Sequence, residues 1–231
     1  MNIQKLHAGR LSVRSSLLFA VAGFALAAPA QIPMAWEQFS LAGRFDVYGI
    51  GQYLHSDDVT FNGPLGDVKV RMADTGMGGF GVAFHFNDAL ALHGDFMFGD
   101  ANFSGDYPVG TGATAHVSRD AFIQTGRLNL DYYMIKRRLT PFVTAGIGYQ
   151  YLDADLENLP PEGVNWWWQD RRSRFHKEET DLTGNVGAGI RWSITDQLFI
   201  RLTGGAKWLE YRGANGVTTQ IEGIFAIGWM F

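Results

Sequence analysis

Gln220-Ile221-Glu222-Gly223-Ile224-Phe225-Ala226-Ile227-Gly228-Trp229-Met230-Phe231 closes the 231-residue sequence. Taken in twos, Phe231, Trp229, Ile227, Phe225, Gly223 and Ile221 fall on one side, and Met230, Gly228, Ala226, Ile224 and Glu222 on the other. A side-chain period of two belongs to a β-strand, so this strand has a large apolar face and a mostly small face bearing one acid. In water an apolar face at a terminus invites aggregation, whereas lipid solvates it. The stretch therefore predicts a strand that faces a bilayer and ends on an aromatic residue.

The same alternation recurs upstream. Residues 40–54 set Leu41, Phe45, Val47 and Tyr53 against Arg44, Asp46, Tyr48 and Gln52. Residues 68–86 set Phe80, Val82, Phe84 and Phe86 against Gly79, Gly81, Ala83 and His85, and from Leu90 onward Leu92, Phe96 and Phe98 oppose His93, Asp95 and Met97. Strands of this kind are also read over 117–135, 141–152, 180–194 and 198–211, which makes eight with the last one. Between them, turn residues predict long loops at 55–67, 100–116 and 153–179 and a moderate one at 212–218. Tight turns are predicted at 87–89, 136–140 and 195–197. Long connections thus alternate with short ones, the pattern of an up-and-down barrel whose termini share the short-turn side.

Composition agrees. Hydrophobic residues make up 46 % and charged residues 18 %, with 29 Gly, a mix that favours strands and turns over helices. With no cysteine, disulfides and thiol chemistry are excluded. At the amino end, Lys5, Arg10 and Arg14 precede an apolar run from Leu17 to Ala28 and the small residues Ala28 and Ala30, the layout of a signal peptide over residues 1–30. That run of about twelve residues is shorter than the roughly twenty that a membrane-spanning helix needs. Cleavage there would leave residues 31–231, with 16 basic and 23 acidic residues and a formal net charge of −7. Such a balance argues against nucleic-acid binding. In a membrane, such a chain must close as a barrel, because only helices and barrels satisfy their backbone groups in lipid.

These features resemble the small OmpA-type family of eight-stranded outer-membrane barrels. The likeness rests on length, strand count, the closing strand, and stretches such as Phe142-Val143-Thr144-Ala145-Gly146-Ile147-Gly148-Tyr149-Gln150-Tyr151. It implies an all-β, eight-stranded antiparallel transmembrane barrel, exported through a cleaved signal peptide, with both termini in the periplasm. It implies the barrel alone, without the peptidoglycan-binding domain of longer members. It also implies that the assembly machinery reads Phe231, Trp229 and Ile227, and that the partners are outer-membrane lipid and lipopolysaccharide around a monomer. No cofactor or metal is expected.

On the inward face of such a barrel the charges are Arg44, Asp46, Asp95, Arg127, Asp131, Arg191, Arg201, Lys207 and Glu222, with His85 and His93. At eight strands the side chains nearly fill the lumen. Counting residues from the short turns predicts two ion pairs between neighbouring strands, Glu222 with Lys207 and Asp95 with Arg127. They serve either as a charged plug of a narrow channel or as a polar core that fills the barrel.

Three further motifs stand out. Trp166, Trp167 and Trp168, followed by Arg171, Arg172 and Arg174, suit contact with lipopolysaccharide phosphates, or else a loop folded over the mouth. Gly76-Met77-Gly78-Gly79-Phe80-Gly81 matches a dinucleotide fingerprint by letter but opens onto a strand, where the fingerprint needs a helix. His116 and Ser118 share one face, as the base and nucleophile of some outer-membrane lipid A deacylases do. No acid to orient the His is identifiable there, since Asp120 shares their face and Asp131 points inward. Two functional classes follow: a non-enzymatic structural or surface-exposed barrel, or a lipid A-modifying hydrolase on the same fold. A soluble lipocalin-like barrel is a third reading.

Overall fold

The computed structural model of the protein describes residues 34–63, 66–109, 113–155, 176–210 and 216–231. They form β1 (Phe45–Ser56), β2 (Val59–Gly63), β3 (Gly66–Met72), β4 (Thr75–His85), β5 (Leu90–Val109), β6 (Ala113–Tyr133), β7 (Leu139–Asp155), β8 (His176–Ser193), β9 (Leu198–Leu209) and β10 (Thr218–Met230). β1, β4, β5, β6, β7, β8, β9 and β10 pair antiparallel in sequence order, and β10 pairs back to β1, so eight staves close on themselves. Closure leaves no free edge at the level of the lipid. The expected signal peptide, residues 1–30, lies outside the described residues.

Register determines the shape of the barrel. Following paired residues once around from Asp46, through Ala83, His93, Asn129, Gly146, Asn185, Lys207 and Gln220, arrives at Ser56, ten residues further along β1. A shear of ten over eight strands tilts them by about 41° and gives a radius of about 8 Å at ordinary strand spacing. With that tilt the outward row from Ile221 to Phe231 rises about 25 Å, the height of an outer-membrane apolar band. Outward positions are apolar and exposed around the ring, among them Phe80, Val82, Leu128, Leu130, Ile147, Val186, Leu202 and Phe225. The inward positions form the core.

Several expected boundaries move. The expected loop at 55–67 is largely a hairpin, because β2 pairs with β3, and β3 joins the upper part of β5 from Met72↔Phe103 to Lys69↔Asp106. β5 and β6 take up most of the expected loop at 100–116, and β7 and β8 shorten the one at 153–179. The cause is solvent: beyond the bilayer a paired ribbon can carry Gly, Asp and Thr on either face, so hydrophobic alternation fades where pairing continues. At the other end, β1 begins at Phe45, five residues later than expected. Leu41, read as lipid-facing, is instead buried with Phe39 beneath the barrel.

The staves are joined at that end by turns that side chains cap. Asn87 Oδ1 accepts from the amides of Ala89 and Leu90 in the β4–β5 turn, and Thr195 Oγ1 accepts from Gln197 and Leu198 in the β8–β9 turn. Residues 34–44 form a strap across all three turns. Leu139 donates to Ala35 O (2.8 Å), Arg138 to Glu37 O (3.1 Å) and Gly43 to His85 O (2.8 Å). Asp88 accepts from the Ser40 hydroxyl and from the amides of Leu41 and Ala42, and pairs with Lys136 at 2.5 Å. The Lys136 ammonium, with the Ser40 hydroxyl and those amides, holds the Asp88 carboxyl well below the usual carboxylate range.

Candidate functional site in the barrel lumen

Alternation turns every second residue inward, and on this chain many of those residues are polar. At the turn end, Asp46 accepts from His85 Nε2 (2.9 Å) and from both terminal nitrogens of Arg191 (2.5 and 3.2 Å). Arg191 also lies over the Phe199 ring, 3.8 Å from its centroid. One layer up, Asp131 takes two bonds from Arg201 (2.6 and 3.3 Å) and lies 3.1 Å from His93 Nδ1. Above that, Arg127 donates to Asp95 (2.9 Å) and to both oxygens of Glu222 (2.8 and 3.0 Å). Tyr48 completes the Asp95 shell at 2.7 Å, and Gln52 the Glu222 shell at 2.6 Å.

These contacts cross the lumen. Arg127 on β6 and Glu222 on β10 stand on opposite staves of the ring, while Arg191 on β8 reaches Asp46 on β1 and Arg201 on β9 reaches Asp131 on β6. Bonds between non-neighbouring staves fill the cross-section. About 10 Å³ of free space remains among Tyr48, Asp95, Arg127, Asn129, Arg201 and Glu222, room for about one water molecule. Apolar side chains pack on both sides of the charged zone: Tyr133, Phe142, Phe199 and Met230 toward the turns, Leu54, Met77, Met97, Ile123 and Leu152 toward the far end. Burying charge in this way is tolerable because Asp46, Asp95, Asp131 and Glu222 each meet a cation and a further polar group.

Most expected lumenal charges are here: Asp46, Asp95, Arg127, Asp131, Arg191, Arg201, Lys207 and Glu222 are all buried. The pair Asp95–Arg127 forms as expected. The pair Glu222–Lys207 does not. Lys207 faces Gln220 and Glu222 faces Gly205, so Lys207 lies two residues further up and donates to Gln150 Oε1 at 2.7 Å. Counting from the turns missed this offset, and it missed that Arg127 reaches Glu222 from across the barrel. Arg44 is also misplaced, since it sits at the rim, donating to Ser40 O and Asp196 O beneath the lumen. Asp181 joins the interior near the far end of β8, within the strand expected over 180–194 and on the side of Thr183 and Asn185, although it is not among the lumenal charges expected there. Inward parity alone could have found Tyr48, Gln52, Asn129, Gln150 and Asn185.

The remaining motifs resolve differently. His116 and Ser118 are exposed on the outward face of the β5–β6 ribbon. An acid does accompany the His: Asp106 is its cross-strand partner and lies 2.7 Å from Nδ1. It was missed because the strand pairing brings it there from across a hairpin. The Ser118 hydroxyl donates to Asn102 Oδ1 at 2.9 Å. The glycine fingerprint runs through β4, where Gly79 and Gly81 face inward and the Tyr48 ring and the Asp95 carboxylate occupy the space of a Gly81 Cβ. Trp166, Trp167, Trp168, Arg171, Arg172 and Arg174 lie outside the described residues. Among the described residues no group of three or more His, Asp or Glu is placed to hold a metal ion.

A closed antiparallel barrel with an apolar outer wall and a salt-bridged interior defines a class, the transmembrane β-barrels of small strand number. Residues 16–221 match the family described as the outer membrane protein beta-barrel domain, and the chain belongs to that family. It is an outer-membrane protein. Among solved structures, neisserial surface protein A is similar at 12 % identity and a TM-score of 0.51, covering 81 % of this chain and 97 % of that one. OprG from Pseudomonas aeruginosa (14 %, TM-score 0.49, 84 % and 98 %) and the attachment invasion locus protein Ail of Yersinia pestis (10 %, TM-score 0.48, 82 % and 99 %) are also similar. At these identities the likeness concerns the fold. A search of curated proteins returned no match.

Proposed function

We propose that this protein is a monomeric, surface-exposed structural barrel that passes no solute through its lumen and catalyses no reaction. The observation that carries the reading is the set of ion contacts spanning non-neighbouring staves, Arg127–Glu222, Arg191–Asp46 and Arg201–Asp131. A solute could pass only if these bonds parted and left charges unpaired in a site with room for about one water molecule. The short turns and the strap face the periplasm in this reading, and the long ribbons β2–β3, β5–β6 and β7–β8 reach outward from the cell. Trp229 and Phe231, exposed on the closing stave, suit recognition by the assembly machinery. The leader over residues 1–30 is removed on export.

Two measurements test this. Purified barrel in planar lipid bilayers is expected to give no conductance steps, and regular steps abolished by unfolding would overturn the closed lumen. Lipid A from cells with and without the protein is expected to have one acylation pattern. A lost acyl chain that returns in a Ser118→Ala variant would instead assign a hydrolase to Asp106, His116 and Ser118.

A further inference from the structure

The ion triad at the turn end is buried although it stands at the mouth of the barrel. Asp46 is the second residue of β1, His85 the last of β4, and Arg191 the third from the end of β8, so all three stand at the lip of the staves. They are nonetheless 0–1 % exposed. The Phe199 ring lies 3.8 Å from the Arg191 guanidinium and the Tyr133 ring 5.5 Å from that of His85, and the strap adds cover from the turn side: Gly43 is bonded to the His85 carbonyl, and Phe39 and Leu41 are buried.

Two properties of that cover differ from those of the wall. Beside its backbone bonds to the turns, it is held by charged side-chain contacts, through Asp88 to Lys136 and Ser40 and through Glu37 to Arg138, and by the buried Phe39 set between the guanidinium groups of Arg44 and Arg138 at 4.8 and 4.7 Å. Salt screens such contacts, while strand ladders and lumenal bridges are protected from it. The closed state also leaves His85 Nδ1 and Arg191 Nε buried without a hydrogen-bond partner among the described residues. Water reaching the mouth would satisfy both, so opening relieves a penalty that closure imposes.

We propose that residues 34–44 are a lid over the Asp46–His85–Arg191 triad that opens independently of the barrel wall. Its opening admits water to the turn end of the lumen while all eight staves stay paired. Local opening of this kind draws on the part of a structure held by the fewest buried contacts. The lid holds whether the rest of the lumen conducts or not, so conductance does not bear on it.

The sequence contains no cysteine, so Ser193→Cys introduces a single thiol, at an inward position 2 % exposed whose amide is bonded to Arg138 O. The folded barrel in micelles would be treated with a charged, water-soluble thiol reagent. Slow labelling is expected at low salt, with a rise of roughly tenfold in about 1 M salt, where the Debye length is about 3 Å. Phe39→Ala, which thins the lid and removes its ring contact with Arg138, and Asp88→Asn, which unties it, are each expected to raise the low-salt rate by about tenfold. In every case the heat-modifiable band of the folded barrel should persist. The proposal is overturned if labelling is insensitive to salt and to both variants, or if both variants lose the folded band, since the strap would then be part of the wall.

Discussion

Arg127→Met removes the cation that two acids share. Arg127 donates to Asp95 at 2.9 Å and to Glu222 at 2.8 and 3.0 Å, and all three side chains are nearly inaccessible. Removing one partner of a buried ion pair costs about 3–5 kcal/mol, because the charge left behind stays desolvated. The two acids should not share that cost equally. Asp95 keeps the Tyr48 hydroxyl at 2.7 Å and His93 at 3.3 Å, whereas Glu222 keeps the Gln52 amide at 2.6 Å. Most of the loss should therefore come from Glu222, and Arg127→Met/Glu222→Gln should recover more than half of it. Adding Asp95→Asn should recover most of the remainder, since replacing a whole buried ion cluster is often close to neutral. The assay is equilibrium urea unfolding in lipid vesicles, read by tryptophan fluorescence and by heat-modifiable migration, with the slope checked for two-state behaviour. A single-variant loss below about 1 kcal/mol, or a double variant no more stable than the single, would refute the assignment of Arg127 as the shared cation.

Lys207→Met should cost much less than Arg127→Met, about 1 kcal/mol, because Lys207 bonds the neutral Gln150 amide, and the same urea series measures it. Deletion of Phe231 should lower the amount of barrel in outer-membrane fractions more than Phe231→Ala does. The deletion also removes the two backbone bonds with Phe45 at 2.8 and 3.1 Å, and equal effects would place the whole signal in the ring. Asp88→Asn should lower the urea midpoint at pH 7 and converge with the parent as pH falls. A carboxyl held below its unfolded value contributes stability that is present above about pH 4 and is lost below it. A midpoint difference that stays constant down to about pH 3 would show that Asp88 acts through packing instead.

Which residues face lipid and which face inward followed from the sequence, because a strand has a period of two and the bilayer demands one apolar face. The row from Ile221 to Phe231, the outward Phe80, Val82 and Phe84, and the inward Asp46, Asp95, Arg127 and Glu222 are all where alternation places them. The number of staves and the family resemblance were legible for the same reason. Where strands ended was less legible beyond the bilayer, since water on both faces removes the alternation that marks a strand.

Only the tertiary structure decided who meets whom across the lumen. Parity assigns a face but no height, and a shear of ten residues per circuit brings Arg127 to Glu222 on the opposite stave while leaving Lys207 to Gln150. The same holds for His116, whose acid arrives across a hairpin, and for the strap, whose irregular backbone has no period to read. Those partnerships depend on strand tilt, stagger and closure, which are properties of the whole ring. No single strand carries them in its own residues.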